Sequence, residues 1–172
     1  MGSADALNGT VVFTDIVGFT LFTAEQGDEH ALAMVSTQEK LVREALPERA
    51  RVVKELGDGL MIWFSDPSRA IGTSVELKVR FEDENAGGAF PLWVRMGAHH
   101  GRQLAHKDDL VGNDVNVAAR IAAIAAPREV LVSQATLDAA GGAVDGVLFE
   151  EIGPAIMKGL PDPIWLLRAT PT

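Results

Sequence analysis

The sequence contains no cysteine, which excludes disulfide frameworks, zinc–thiolate sites and thiol nucleophiles. Positive charge is also scarce, because 15 lysines and arginines stand against 24 acidic residues and the formal net charge at pH 7 is −9. A broad basic surface for nucleic acid is therefore not expected, and any phosphate ligand has to be held by a few local cations. No apolar run approaches the roughly 18 residues of a membrane span. We expect no membrane segment in this chain and a cytoplasmic location, or the cytoplasmic face if the chain belongs to a longer membrane protein.

The sequence contains enough apolar residues to form one hydrophobic core. It has 172 residues, of which 47% are hydrophobic, and this is typical of a single globular domain. We expect residues 9–170 to form this domain and residues 1–8 to be an amino-terminal tail. Within that tail, Met1-Gly2-Ser3 has the composition of a cloning remnant.

Apolar periodicity predicts the order strand, helix, strand, strand, helix, strand over the first two-thirds of the chain. The predicted ranges are 10–14, 28–45, 51–55, 60–64, 67–81 and 92–99. Asp66 is predicted to cap the second helix and Pro67 to occupy its first position. The order is that of a ferredoxin-like βαββαβ fold.

The rest of the chain predicts a smaller α/β extension. A polar segment at 101–110 is expected to be extended and partly exposed, and could form an arm. An alanine-rich helix at 113–124 and a helix that begins after a Ser133 cap are predicted next, with short strands at 129–132, 147–152 and 164–168. The predicted fold class is therefore α+β, a ferredoxin-like βαββαβ core with a C-terminal α/β extension.

Two acidic residues stand where strands end. Asp15 follows the first predicted strand, Asp58 lies at the tip of the predicted hairpin, and neither has a basic neighbour in the sequence. The first strand and the hairpin are neighbours in a ferredoxin-like sheet, so the two carboxylates could converge on hard metal ions, which prefer oxygen ligands. Taken singly, each also has an ordinary structural explanation, as a capping aspartate and a turn aspartate.

The histidines are not arranged as a metal site. His99 and His100 are adjacent in a predicted strand, where successive side chains face opposite ways. Because they cannot both point inward, we expect a core or interface role for one of them.

Three ordered segments carry a family resemblance. They read Phe-Thr-Asp-Ile-Val-Gly-Phe-Thr at 13–20, Lys-Glu-Leu-Gly-Asp-Gly at 54–59 and Val-Gly-Asn-Asp-Val-Asn-Val-Ala-Ala-Arg at 111–120. Together they resemble the signature of class III nucleotide cyclase catalytic domains, and the likeness runs from about Gly9 to Arg168. The resemblance implies the cyclase fold, in which two domains pair head to tail.

The resemblance also implies a metal site and a reaction. Asp15 and Asp58, with the backbone carbonyl of Ile16, would bind two ions per active site, Mg²⁺ or Mn²⁺. These would activate the ribose 3′-hydroxyl of ATP for attack on the α-phosphate, with pyrophosphate leaving. The turn at 17–20 could direct backbone N–H groups at phosphate. Phe19 belongs to this substrate-binding turn, although its side chain is expected to pack.

Further cyclase positions are occupied by cationic and polar residues. Arg120 matches the arginine that stabilises the transition state, and Asn116, one turn earlier on the same helix face, matches the asparagine that positions the ribose. Arg95 and Lys158 match positions that bind the β- and γ-phosphates. Without the resemblance, Arg120 would be interpreted as a surface arginine and Lys158 as an exposed loop lysine.

Lys54 and Asp109 match the two positions that select the purine. Lysine has only donors and suits N1 of adenine, whereas ionised aspartate has only acceptors and suits the exocyclic amino group. This favours ATP over GTP, since guanylate cyclases carry a glutamate at the first position. Asp108 leaves the assignment of Asp109 open by one residue, and both residues could simply be solvated.

One chain carries both the metal acids and the purine-selecting residues, so we expect a symmetric homodimer with two composite sites at its interface. Two alternatives share the same fold: a guanylate cyclase, and a catalytically silent nucleotide-binding or dimerisation module. A two-metal phosphatase or haloacid-dehalogenase-like hydrolase would need a second acid two residues after Asp15, where Val17 stands.

Overall fold

A computed structural model describes residues 5–88 and 91–172. The first four residues of the predicted tail lie outside this range, and the first strand begins at Ala6. The elements are β1 (Ala6–Ile16), α1 (Phe19–Gln26), α2 (Asp28–Ala45), β2 (Ala50–Glu55), β3 (Gly59–Phe64), α3 (Pro67–Ala86), β4 (Val94–His106), β5 (Asp109–Val111), α4 (Asn113–Ile124), β6 (Val130–Ser133), α5 (Gln134–Ala139), β7 (Val147–Ala155) and β8 (Ile164–Pro171).

The strands form one mixed sheet in the order β2-β3-β1-β4-β6-β8-β7, and β5 folds back onto β4. The first four strands are antiparallel neighbours, which is the ferredoxin-like arrangement. β6 then adds in parallel to β4, and β8 and β7 follow as an antiparallel pair. The predicted α+β fold with a C-terminal extension is confirmed.

Side-chain alternation along β1 builds two cores, one on each face of the sheet. Val12 and Ile16 pack in a cluster with residues of α2 and α3. Val11 and Phe13 point the other way and pack with residues of β5 and α4. We call the second side the α4 face. The same alternation assigns Asp15 to the α4 face, at the end of the strand.

Helix α4 lies unusually close to β4. A Cβ atom built on Gly97 would lie 2.2 Å from the backbone nitrogen of Ala122, so only glycine permits this approach. Below the helix, Val115, Ala118 and Ala122 complete the apolar cluster. The alanine-rich composition of α4 therefore reflects direct packing on the sheet.

Helices α2 and α4 have the predicted bounds, and the caps of α3 and α5 are confirmed. The side chain of Asp66 accepts a hydrogen bond from Ser68 N at 2.8 Å, and that of Ser133 accepts one from Thr136 N at 3.3 Å. Several elements differ from prediction. β1 begins at Ala6, within the predicted tail, and β7 and β8 continue to Ala155 and Pro171. Helix α1 was not predicted, α3 continues to Ala86, and the polar segment at 101–110 is not a free arm, because β4 runs on to His106 and turns back into β5.

Among residues 5–88 and 91–172, none of the helices combines the length and the hydropathy of a membrane-spanning segment.

Candidate active site

Asp15 and Asp58 converge at one end of the sheet. The antiparallel register of β1 and β3 places Asp15 opposite Gly59, and Ile16 N donates to the carbonyl of Asp58 at 3.0 Å. A Cβ atom on Gly59 would lie 1.9 Å from the carbonyl oxygen of Thr14. Glycine is therefore required where the hairpin meets β1, and it brings the two acids together.

The electrostatics of the two acids suit a shared cation. Burial raises the pKa of the Asp58 carboxyl, and the neighbouring Asp15 carboxylate raises it further through its charge and a hydrogen bond. A bound cation would relieve this repulsion. Among the described residues, no three acidic, histidine or cysteine side chains are grouped so that they could hold a metal ion by themselves. Any ion held here would therefore need additional oxygen ligands, such as a backbone carbonyl or a substrate phosphate.

Arg95 corrects the expectation that Asp15 has no basic partner. The register of β1 and β4 places the two residues opposite each other. Nε of Arg95 donates to Oδ2 of Asp15 at 2.9 Å, and Nη2 lies 2.8 Å from the same oxygen. Its Nη1 also donates to the carbonyl of Ala123, at the end of α4, at 2.8 Å. The sequence could not show this partner, because only the register of two distant strands brings it close.

Lys54 and Asp109 form an ion pair across the α4 face. Lys54 Nζ lies 2.9 Å from Oδ2 of Asp109, and the two side chains remain 40% and 37% exposed. A bulge in β2 lies between Val52 and Lys54. The hydrogen bond from Lys54 lowers the pKa of the Asp109 carboxyl, so it is an ionised acceptor at neutral pH. Asp108 is exposed in the turn before β5, and it is Asp109 that contacts Lys54.

Asn116 and Arg120 lie on the outer side of α4. Both are exposed, whereas Val115 and Ala118 on the same helix face the sheet. The two polar side chains are one turn apart, so they share a helix face. They are directed away from the core of their own chain and are available to a ligand or a second surface.

The loop that carries Lys158 is held beside α4. Met157 is buried in a cluster with Val117 and Ile121 of the helix. A Cβ atom on Gly159 would lie 3.6 Å from Nη2 of Arg120. The structure thus brings the Lys158 loop next to Arg120, although the two are far apart in the sequence.

The turn at 17–20 leads directly from β1 into α1. Gly18 has a φ of 75°, in the left-handed region, and Phe22 N donates to its carbonyl at 3.0 Å. The side chain of Phe19 is partly buried and packs against the core beneath α2 and α3. Any contact of Phe19 with substrate would therefore come from its backbone.

Gln38 is a polar residue of this region that the sequence interpretation overlooked. It is fully buried on α2. Its Oε1 accepts from the hydroxyl of Thr14 at 2.7 Å, and its Nε2 lies 3.4 Å from the carbonyl of Asp58. Thr14 Oγ1 in turn accepts from Leu60 N at 3.0 Å. Gln38 thus ties the helix to both acid-bearing segments. The available signal was a glutamine in an otherwise apolar helix stripe.

The proposed site residues lie on an open surface. Asp15 and Arg95 retain 27% and 28% side-chain exposure, Lys54 and Asp109 retain 40% and 37%, and Asn116 and Arg120 are exposed. A cavity of about 550 Å³ between α3 and residues 143–145 contains none of them. A ligand on the α4 face would be enclosed only if another surface covered it.

Comparisons with known proteins identify the family of this chain. The model of the family described as "Adenylate and Guanylate cyclase catalytic domain" matches residues 3–168. A pH-sensitive adenylate cyclase of Mycobacterium tuberculosis is 29% identical over 161 residues, which are 92% of this chain and 40% of that protein. An adenylate cyclase of Streptomyces griseus is 30% identical over 126 residues, 73% of this chain and 31% of that protein. The chain thus spans less than half the length of these curated relatives.

Solved structures show the same fold. The adenylyl cyclase CyaB from P. aeruginosa superimposes with a TM-score of 0.81 at 22% identity, covering 99% of this chain and 97% of that one. The guanylyl cyclase Cya2 gives a TM-score of 0.81 at 22% identity, covering 100% and 96%. Because proteins of both names fit equally well, the fold alone does not select a purine.

Proposed function

This chain belongs to the family of adenylate and guanylate cyclase catalytic domains, and from that premise we propose that it is an adenylate cyclase, which converts ATP to 3′,5′-cyclic AMP and pyrophosphate. The observation that carries the choice of ATP is the Lys54–Asp109 pair. The proposed catalytic unit is residues 9–170, and its substrate implies a cytoplasmic location.

The pair presents complementary groups to adenine. Lys54 can only donate and Asp109, when ionised, can only accept. Adenine offers an acceptor at N1 beside a donor amino group, whereas guanine offers the reverse arrangement. In the free chain the two side chains satisfy each other at 2.9 Å, so they already stand side by side where one purine edge could bridge them. Guanine would place donor against donor and acceptor against acceptor, which leaves polar groups unpaired.

The acids at the sheet end fit divalent cations by their chemistry. Asp15 and Asp58, with the carbonyl of Ile16, would hold two ions, Mg²⁺ or Mn²⁺. When bound, these supply Lewis-acid activation of the ribose 3′-hydroxyl and neutralise triphosphate charge. The chain's own contribution is to fix two carboxylates side by side, which the glycine-dependent approach of β3 to β1 achieves.

Three cationic side chains of the site would contact different phosphates of the substrate. Arg95, which neutralises Asp15 in the free chain, would turn to the β- and γ-phosphates together with Lys158. Arg120 would stabilise the negative charge that develops at the α-phosphate. Asn116, on the same helix face, would hold the ribose so that its 3′-oxygen stays aligned for attack.

We further propose that the active protein is a symmetric homodimer with two sites. The acids and Arg95 lie at the sheet end, whereas Asn116 and Arg120 point outward from α4. Both sets lie on an open face, so a second copy could cover them and combine the acids of one chain with the helix residues of the other. An isologous interface would create two such sites at once.

Product analysis tests the proposal. The purified chain is incubated with ATP or GTP, each with Mg²⁺ or Mn²⁺, and the products are separated by chromatography. We expect cyclic AMP and pyrophosphate from ATP, with GTP a poor substrate, and no product from Asp58→Ala. Preferential cyclic GMP formation would indicate a guanylate cyclase. Nucleotide binding without any cyclic product would indicate a silent module.

A further inference from the structure

A chain of polar side chains links the sheet to the first turn of α4. Nδ1 of His99 on β4 lies 2.7 Å from the hydroxyl of Ser133, and its Nε2 lies 3.2 Å from Oδ1 of Asp114. The other oxygen of Asp114 accepts from Arg102 N at 2.7 Å. His99 is 6% exposed and Ser133 1%, so the bond between them is shielded from water, whereas the Asp114 side chain keeps 31% exposure.

The bonding pattern defines the tautomer of His99. An ionised carboxylate has only acceptors, so Nε2 carries the proton and donates to Asp114. Burial lowers the pKa of the imidazole, so the ring is neutral at physiological pH and Nδ1 accepts from the hydroxyl of Ser133. Ser133 Oγ also lies 2.7 Å from Oγ1 of Thr136, from which it can accept. Each hydrogen bond from Thr136 through Ser133 and His99 to Asp114 therefore has one donor and one acceptor.

The first turn of α4 has few other contacts to hold it. Its N-cap residue, Gly112, supplies no side-chain hydrogen bond, and within residues 113–116 only Val115 is buried. The middle of the helix is better anchored, because Val117 and Ile121 are buried in a cluster with Met157. Gly101 adds to the evidence, because a Cβ there would lie 2.2 Å from Oδ2 of Asp114. The absence of a side chain on Gly101 therefore makes room for the Asp114 carboxylate.

We infer that His99 and Asp114 are positioning residues that fix the first turn of α4, and with it the Asn116 and Arg120 side chains. The inference rests on the proposed function, since it matters for catalysis only if those two residues contact the nucleotide. Asp114 stands two residues before Asn116 and six before Arg120. A shift of this turn would therefore move both groups together. Displacement by about 1 Å can lower a rate roughly 100-fold.

The test compares two histidines that are adjacent in the chain. His99→Phe fills the ring's space and removes both bonds to its partners. His100→Phe is the matched control, because His100 faces the opposite side of the sheet and contacts Thr10 Oγ1 at 3.0 Å. Asp114→Asn is a second test variant, which keeps the shape of a partly exposed residue and so should fold if His99→Phe does not.

Two quantities are measured on folded protein, well below the melting temperature of each variant: kcat and KM for ATP, and amide hydrogen exchange at 113–118. We expect His99→Phe and Asp114→Asn to lower kcat about 10- to 100-fold, to change KM by less than about 3-fold, and to speed exchange in the first turn of α4. The control should show neither effect. Unchanged exchange in α4, or an equal loss of kcat in the control, would overturn the inference.

Failure of the proposed function would look different. Asn116→Ala and Arg120→Lys are measured in the otherwise unaltered chain. If both keep the original kcat, the proposed catalytic roles are wrong. In that case only the amide hydrogen-exchange rates of α4 test whether His99 and Asp114 position the helix.

Discussion

Exchanging donor and acceptor at the proposed purine edge should change the substrate. In the double variant Lys54→Glu, Asp109→Asn, position 54 becomes an acceptor for guanine N1–H and position 109 gains a donor for guanine O6. An unpaired polar group in a closed site costs about 1–3 kcal/mol. Two mismatched contacts with adenine are therefore expected to make the variant prefer GTP by about 2–6 kcal/mol, or roughly 30-fold to 10⁴-fold in kcat/KM over ATP.

The structure predicts that this exchange leaves the fold intact. The Lys54–Asp109 pair is more than one-third exposed on both sides, and exposed ion pairs contribute only about 0–1 kcal/mol to stability. The assay measures cyclic AMP and cyclic GMP formation at matched metal concentration, with thermal unfolding alongside. Arg80→Glu, which removes ion pairs with Glu44 of α2 and Glu76 of α3, is the control and should keep the original ratio. An unchanged ratio in the double variant would refute the assignment and point to Asp108.

Three further variants follow from the structure. Asp58→Ala should abolish cyclisation while the melting temperature stays near its original value; turnover near the normal rate at saturating metal would refute the two-metal assignment. Gln38→Leu should lower the free energy of unfolding by about 1–3 kcal/mol in urea titrations, because it leaves buried partners unpaired; unchanged stability would contradict that role. The lowered pKa of His99 means that the unfolded chain binds more protons below about pH 6.5, so stability should fall as pH drops below that value. Replacing His99 with Phe should reduce this slope, and an equal slope would contradict the shift.

The sequence was most informative where a strong apolar period coincides with a helix. The bounds of α2 and α4 were predicted to the residue, because each helix carries a stripe that the sheet buries. Helix α1 was missed because none of its residues is fully buried, so it has no stripe to detect. The predicted strand β4 was too short because its second half is polar, and its pairing with β1 and β5 rather than its composition holds it in the sheet.

For the candidate site, the sequence motifs identified residues but could not predict the contacts that these residues make. Asp15 and Asp58 were expected to converge because a ferredoxin-like order makes their strands neighbours, and they do. The Arg95–Asp15 bond depends on the exact register of β1 and β4, which no local pattern encodes. Gln38 was equally hidden, since its importance lies in hydrogen bonds to Thr14 and to the hairpin.

Complementation between two inactive variants shows whether this chain forms composite adenylate cyclase sites. Asp58→Ala and Arg120→Ala should each be inactive alone, because every site then lacks an essential group. In a mixed dimer, one site combines the intact Asp58 of one chain with the intact Arg120 of the other, while the second site carries both defects. The chains are co-expressed with two different affinity tags, purified over both, and assayed for cyclic AMP.

With random pairing, about half of the dimers are mixed and one of their two sites works, so the unfractionated mixture should regain about a quarter of the normal activity. Doubly purified mixed dimers should show about half the normal activity per dimer on the same grounds. Confirmed mixed dimers that make no cyclic AMP would contradict the account, because each site would then be built within one chain or Arg120 would have another role.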